Sequence, residues 1–204
     1  MAHKNGGNFL RKLSVGLAAL GLLSVHTVFA EDTLVQRALH VLQGGGAQVM
    51  PPPVSVELAF SPNGGATELV IKAIGAAKQS IHVAAYAFTS RPIAKALVDA
   101  RKAGIDVEIV VDHEQIEKDN HSEAAYLASQ NIPVRVDIVH ALQHDKYMVI
   151  DSKSVETGSF NYTAAAEQHN SENVIVLWDD PKLADAYAKN WKSLWDAAEA
   201  YSGR

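Results

Sequence analysis

A strongly apolar run, Ser80–Phe88, and a second strand-like run, Ile105–Asp112, bracket a stretch of helical spacing, Arg91–Ala103, that Gly104 closes. Apolar runs of this length are covered on both sides, and two of them joined by a helix-length crossover predict a βαβ unit. Further segments extend it. Val54–Phe60, Val134–Val139, Lys146–Asp151 and Asn173–Trp178 read as strands, and Ala66–Lys78 and Ser122–Gln130 as helices. Residues Leu69, Ile71, Ala73, Ile74 and Ala77 lie on or near the buried face of the first helix. Asp179–Pro181 opens a last helix whose apolar stripe is Leu183, Tyr187, Trp191, Leu194 and Trp195, read as core or as a contact with a second copy. The Gly-rich turn Ser61–Gly65 lacks the spacing of a phosphate loop and reads as a plain turn. The expected fold class is α/β, a mixed, largely parallel β-sheet flanked by helices on both faces.

The first 30 residues stand apart from that pattern. Lys4, Arg11 and Lys12 give a positive start, Leu13–Val28 is mostly apolar, and Val28–Phe29–Ala30 resembles a peptidase site, so residues 1–30 are expected to be a cleaved secretory signal. An uncleaved anchor is the other reading, but His26 interrupts a run that is short for a bilayer. The expected location is periplasmic or secreted, with no stable membrane association after cleavage. Residues 31–53 read as a short helix, with Leu34, Ala38 and Leu42 in register, and a linker broken by Gly44–Gly46 and Pro51–Pro53. That helix packs on the domain or on a partner, or the segment is a poorly ordered leader. Residues 54–204 form the expected catalytic domain.

Removing residues 1–30 leaves 174 of 204 residues, enough for one domain that buries roughly 70% of its unfolded surface without covalent staples. There is no cysteine, which excludes disulfides, thiolate metal sites and a cysteine nucleophile. The leader takes three of the 18 basic residues and none of the 23 acidic ones, leaving 15 against 23, a net charge of −8. Such a chain lacks the broad basic footprint of a pure nucleic-acid-binding module. Any polyanion would be met by positive charge concentrated in a cleft.

The chemistry-bearing residues crowd between His144 and Glu172. In the strand beginning at Lys146, alternation places His144 and Lys146 on one face. Gly158 permits a close backbone approach, and Ser159 and Asn161, again two apart, offer a hydroxyl and an amide to phosphate oxygens. Glu172 is placed to accept one imidazole N–H of His144 and leave the other nitrogen free to attack. Asp151 lies an odd number of residues from Lys146, which assigns it a supporting part. The acids and histidines Asp112, His113, Glu114, His121 and Glu123 fall across a strand end, a loop and a helix start without converging, and read as caps and solvated side chains rather than a metal site.

The full pattern, His-x-Lys-x(4)-Asp-x(6)-Gly-Ser-x-Asn, resembles the HKD signature of the phospholipase D superfamily, carried here by His144, Lys146, Asp151, Gly158, Ser159 and Asn161. With Phe60–Gly65, Ala76–Ser90 and Gly104–Asp112 it is most similar to the small bacterial Nuc-type, EDTA-resistant endonucleases, over nearly all of residues 54–178. The resemblance implies a phospholipase D-like α/β/α sandwich and a phosphodiesterase without cofactor or metal. His144 would form a phosphohistidine, Lys146, Ser159 and Asn161 would hold the phosphate, Glu172 would orient the histidine, and Asp151 and Gly158 would support the site. One H-x-K occurs in the chain, so the second histidine that protonates the leaving oxygen is expected from a homodimer. The expected substrate is DNA, with RNA as an extension. Hydrolysis of phospholipid head groups and an inactive nucleic-acid-binding module are the alternatives.

Overall fold

In the computed structural model, which describes residues 55–118 and 122–202, the apolar runs pair into a single eight-stranded sheet. The elements run β1 (Ser55–Ser61), α1 (Ala66–Ala76), β2 (Ser80–Ala85), α2 (Arg91–Lys102), β3 (Asp106–Asp112), α3 (His113–Lys118), α4 (Ala124–Ser129) and β4 (Val134–Asp137). They continue with β5 (Lys146–Ile150), β6 (Ser154–Gly158), α5 (Ala164–Gln168), β7 (Glu172–Trp178), α6 (Pro181–Ala197) and β8 (Glu199–Ala200). The expectations for residues 1–30, for 31–53, for Val54 and for His121 lie outside the described residues.

Across the sheet the order is β1-β7-β6-β5-β2-β3-β4-β8. The mixed sheet with helices on both faces agrees with the sequence reading, but its parallel share is smaller than expected. Only β2–β3 and β3–β4 pair in parallel among the described strands; β1–β7, β7–β6, β6–β5, β5–β2 and β4–β8 are antiparallel. The reason is connection length. A parallel neighbour needs a long crossover, which α2 and the α3–α4 segment supply. Between β5 and β6 there is only a tight turn in which Asp151 and Ser152 both take positive φ, at 52° and 55°, as hairpin turns of the primed types require.

Strand alternation divides the core in two. On one face Ile81, Val83 and Ala85 of β2, Val107, Ile109 and Val111 of β3, and Met148 and Ile150 of β5 pack against Leu69, Val70, Ala73 and Ile74 of α1 and Ile93, Leu97 and Val98 of α2. On the other face Ala84, Val110, Tyr147, Val149 and Val155 meet Ala184, Trp191 and Leu194 of α6. The N-terminus of α6 is fixed by Asp180, whose side chain accepts the Leu183 N–H at 3.0 Å, with Pro181 in the first turn. The stripe on α6 is therefore core at Trp191 and Leu194, and Trp191 Nε1–H donates to the Val83 carbonyl at 2.9 Å.

Strand β6 carries a carboxylate into the first core. Glu156 stands opposite Met148 and Val176 and is 1% exposed, with the Tyr162 hydroxyl donating to its Oε2 at 2.6 Å. Burial pushes its pKa up to about 8 against the pull of that hydrogen bond, so it is neutral in the folded protein at pH 7. The unfolded chain ionises Glu156 near its ordinary value of 4.5. Its contribution to stability is thus complete below that value and falls as pH rises toward about 8. Glu156→Gln should flatten the fall across this window, on the order of 5 kcal/mol at full effect. Urea midpoints measured at several pH values check this; an unchanged slope would show that Glu156 is already ionised.

Candidate active site

The loop that delivers His144 is pinned from behind. Asp112, fully buried at the end of β3, accepts the Gln143 N–H at 2.8 Å and the Gln115 N–H at 3.2 Å. A few residues earlier the buried Asp137 accepts the backbone N–H groups of Val139 and His140 at 2.8 and 3.1 Å and pairs with His140 Nδ1 at 2.6 Å. His144 itself is exposed, whereas Lys146, the first residue of β5, is 8% exposed. Lys146 Nζ lies 2.9 Å from His144 Nδ1 and donates to the His144 carbonyl at 2.5 Å. The strand spacing of two has put both groups on the same side, in contact.

Tyr86, just beyond β2, closes this corner. Its ring is 4.3 Å from the imidazole of His144, centroid to centroid and tilted by 49°, and Lys146 Nζ lies 4.9 Å from the same ring. Gln115 Nε2 donates to the Tyr86 hydroxyl at 2.9 Å. His144, Lys146 and Gly158 line an open cleft of about 400 Å³, with Tyr147, Thr157, Tyr187 and Asn190 among its other walls. Tyr147 donates to Asn190 Oδ1 at 2.6 Å, which ties the cleft to α6. Burial pulls the Lys146 ammonium below its ordinary value, while the charges of Asp145 and Glu172 oppose that shift. An incoming phosphate anion would act in the opposite direction and favour the charged form.

Gly158 ends β6 where no other residue fits, because a Cβ there would overlap the Asn173 carbonyl oxygen. That close approach lets Ser159 and Asn173 bond reciprocally. Ser159 N–H donates to Asn173 Oδ1 at 3.3 Å and Asn173 N–H donates to Ser159 Oγ at 3.1 Å. The hydroxyl proton of Ser159 remains available to an oxygen. Asn161 follows with its Oδ1 buried and, among the described residues, without a hydrogen-bond partner. Glu172 opens β7; its Oε1 accepts from Asn170 Nδ2 at 3.1 Å, and within one chain it makes no hydrogen bond to His144. Asp151 sits at the opposite end of β5 and accepts the backbone N–H groups of Lys78, Gln79 and Ser80 at 2.7–3.1 Å, clamping the start of β2.

Among the described acids and histidines after β3, Asp112, His113 and Glu123 each turn to a different partner. Besides Asp112, Glu123 binds Arg91 at 2.7 Å and His113 Nδ1 lies 3.1 Å from the Asp137 carbonyl. Sequence reasoning missed Tyr86, Asp112, Gln115 and Asn190 as parts of the site. Nothing in the local pattern marks them, because each arrives from another strand or helix.

Residues 70–195 match the family model described as cardiolipin synthase, PLD-like domain. A phospholipase D of Rickettsia bellii is 41% identical over 138 residues, 68% of each chain. A mitochondrial cardiolipin hydrolase of Xenopus laevis is 30% identical over 130 residues, 64% of this chain and 60% of that one. The crystal structure of a phospholipase D family member, Nuc from Salmonella typhimurium, superimposes with a TM-score of 0.71 at 44% identity, covering 74% of this chain and 100% of that one.

Proposed function

The chain belongs to the phospholipase D superfamily, and within that family of phosphodiesterases we propose that it is a metal-independent endonuclease that cleaves DNA, and RNA as well, at a site shared by two copies. The observation that carries this reading is the contact between His144 and Lys146 at the mouth of a cleft bordered by Gly158. It is supported by the 44% identity to Nuc over that protein's whole length.

A phosphodiester resists hydrolysis because its negative charge repels nucleophiles and its alkoxide leaves poorly. A neutral imidazole flanked by a cation addresses the first problem. The substrate phosphate draws the Lys146 ammonium from the ring, and Lys146, Ser159 and Asn161 hold the non-bridging oxygens. An imidazole nitrogen of His144 forms a bond to phosphorus as the phosphorus–oxygen ester bond breaks. The leaving oxygen takes its proton from the His144 of a second copy, positioned on the far side as in-line displacement demands. Water then attacks phosphorus, gives its proton to that second imidazole, and frees the first. Glu172, brought to the imidazole in the assembled pair, orients it. No other histidine of the chain is followed by lysine at the second position, so a single copy lacks the acid.

A second reading, hydrolysis of phospholipid head groups, is favoured by one feature of the surface. Ile138, Val139 and Leu142, 50%, 63% and 46% exposed, project from the loop that leads to His144. Among the described residues no helix is long and apolar enough to cross a membrane. A plasmid nicking assay beside phosphatidylcholine and cardiolipin vesicles, all in excess EDTA, separates the two. Nicking that persists in chelator is the expected result; turnover of vesicles with intact plasmid would transfer the site to lipids, and silencing by EDTA would overturn the metal-free route.

A further inference from the structure

We propose that His82, Asp106 and Glu108 form a binding site for a divalent transition-metal ion, such as Zn²⁺, that bridges β2 and β3 away from the catalytic cleft. The parallel register sets His82 directly beside Glu108, and Asp106, two residues before Glu108, lies on the same face of β3. Their ligand atoms all fall within 4.8 Å of one another. His82 Nε2 and Glu108 Oε2 are 3.7 Å apart. That is too long for a hydrogen bond, yet it suits two atoms sharing an ion, since bonds of about 2.1 Å in tetrahedral geometry place ligands roughly 3.4 Å apart. Asp106 is the most exposed of the three, with 59% of its side chain accessible, and has the freedom to complete the set.

The surroundings answer this charge only in part. Among the described residues Glu108 accepts no hydrogen bond, although only 25% of its side chain is exposed. The nearby cations make no direct bond to Glu108: Arg135 donates to the Trp195 and Ala198 carbonyls, Lys192 pairs with Asp196, and Arg101 bonds one oxygen of Asp106 at 3.2 Å and the Asn131 carbonyl. Asp106 keeps its second oxygen for an ion. His82 is held rigidly by stacking on Trp191 at 4.3 Å and 13°. One imidazole with two carboxylates selects Zn²⁺, Mn²⁺ or Co²⁺ over Mg²⁺ and Ca²⁺, which prefer all-oxygen shells.

Ala85, three steps along β2 from His82, pairs with Lys146, so about 10 Å of strand lies between this site and the catalytic lysine. The ion would tie β2 to β3 beneath Trp191 and so brace α6; it takes no part in phosphodiester cleavage.

Zinc titration of the chelator-stripped protein, read by calorimetry and by melting temperature, tests the site. One Zn²⁺ per chain and a raised melting temperature are expected, with binding kept in His144→Ala and weakened at least tenfold in Glu108→Gln and Asp106→Asn. His82→Ala should abolish binding, but because it also removes the stack on Trp191, the isosteric Glu108→Gln is the deciding variant. Unchanged affinity in Glu108→Gln, loss of the ion in His144→Ala, or no saturable binding would each overturn the proposal. Nicking in EDTA reads the catalytic proposal separately.

Discussion

His144→Ala should abolish turnover, lowering kcat by roughly 10⁴–10⁶-fold, the range expected when a covalent nucleophile is removed. The fold should survive. His144 is exposed, and its contacts are the Tyr86 ring and the Lys146 ammonium rather than the core. Near-native circular dichroism and an unchanged melting temperature would therefore accompany an inert enzyme. Because each cleft is proposed to use two copies of the residue, the variant loses nucleophile and acid together, and mixing it with the unsubstituted protein should not give full activity per native chain. The intermediate offers a second readout: acid-labile, base-stable label transferred from substrate to protein, absent in the variant. Activity near that of the unsubstituted protein would move the chemistry away from this histidine.

Lys146→Met should cost about 2.7–4 kcal/mol of transition-state stabilisation, or roughly 10²–10³-fold in kcat, the usual loss for a charged donor to a developing oxyanion. Methionine replaces much of the aliphatic stem, so packing at this buried position is largely kept. The effect should fall on kcat more than on KM, because the cation acts on charge that grows as the bond breaks. Steady-state kinetics on a small bis-aryl phosphodiester would measure that division. A loss confined to KM would make Lys146 a simple anchor for the ground-state phosphate.

Much of the frame was legible from the chain alone. Ser80, Arg91, Lys146 and Trp178 bound their elements where periodicity placed them, because apolar runs and helix breakers act locally. The spacing of His144 and Lys146 also translated directly into contact, since two residues of a strand return to one face. Strand β6 was missed for a physical reason. Its centre is Glu156, which reads as a solvated acid, and only the Tyr162 hydroxyl and neutralisation by burial make it a core residue. Missing that strand concealed the β5–β6 hairpin and inflated the expected parallel share of the sheet.

The same distinction runs through the site. Asp151 was assigned a supporting part from its odd spacing, but its actual ligands, the N–H groups of Lys78, Gln79 and Ser80, lie more than 70 residues earlier. Tyr86 against His144, and Asp112 behind Gln143, depend likewise on β2, β3 and β5 lying side by side. His82 and Glu108 meet only through the register of two strands.

Most of the strand and helix segments, the family and the set of reactive groups were readable in the chain, since these follow from side-chain periodicity and fixed spacing along a few neighbouring residues. Tertiary structure decided which strands pair and in what direction, which acid is buried neutral, and which side chains surround His144. Those outcomes are set by contacts between distant segments, whose free energy is shared over the whole sheet and leaves no local trace in the chain.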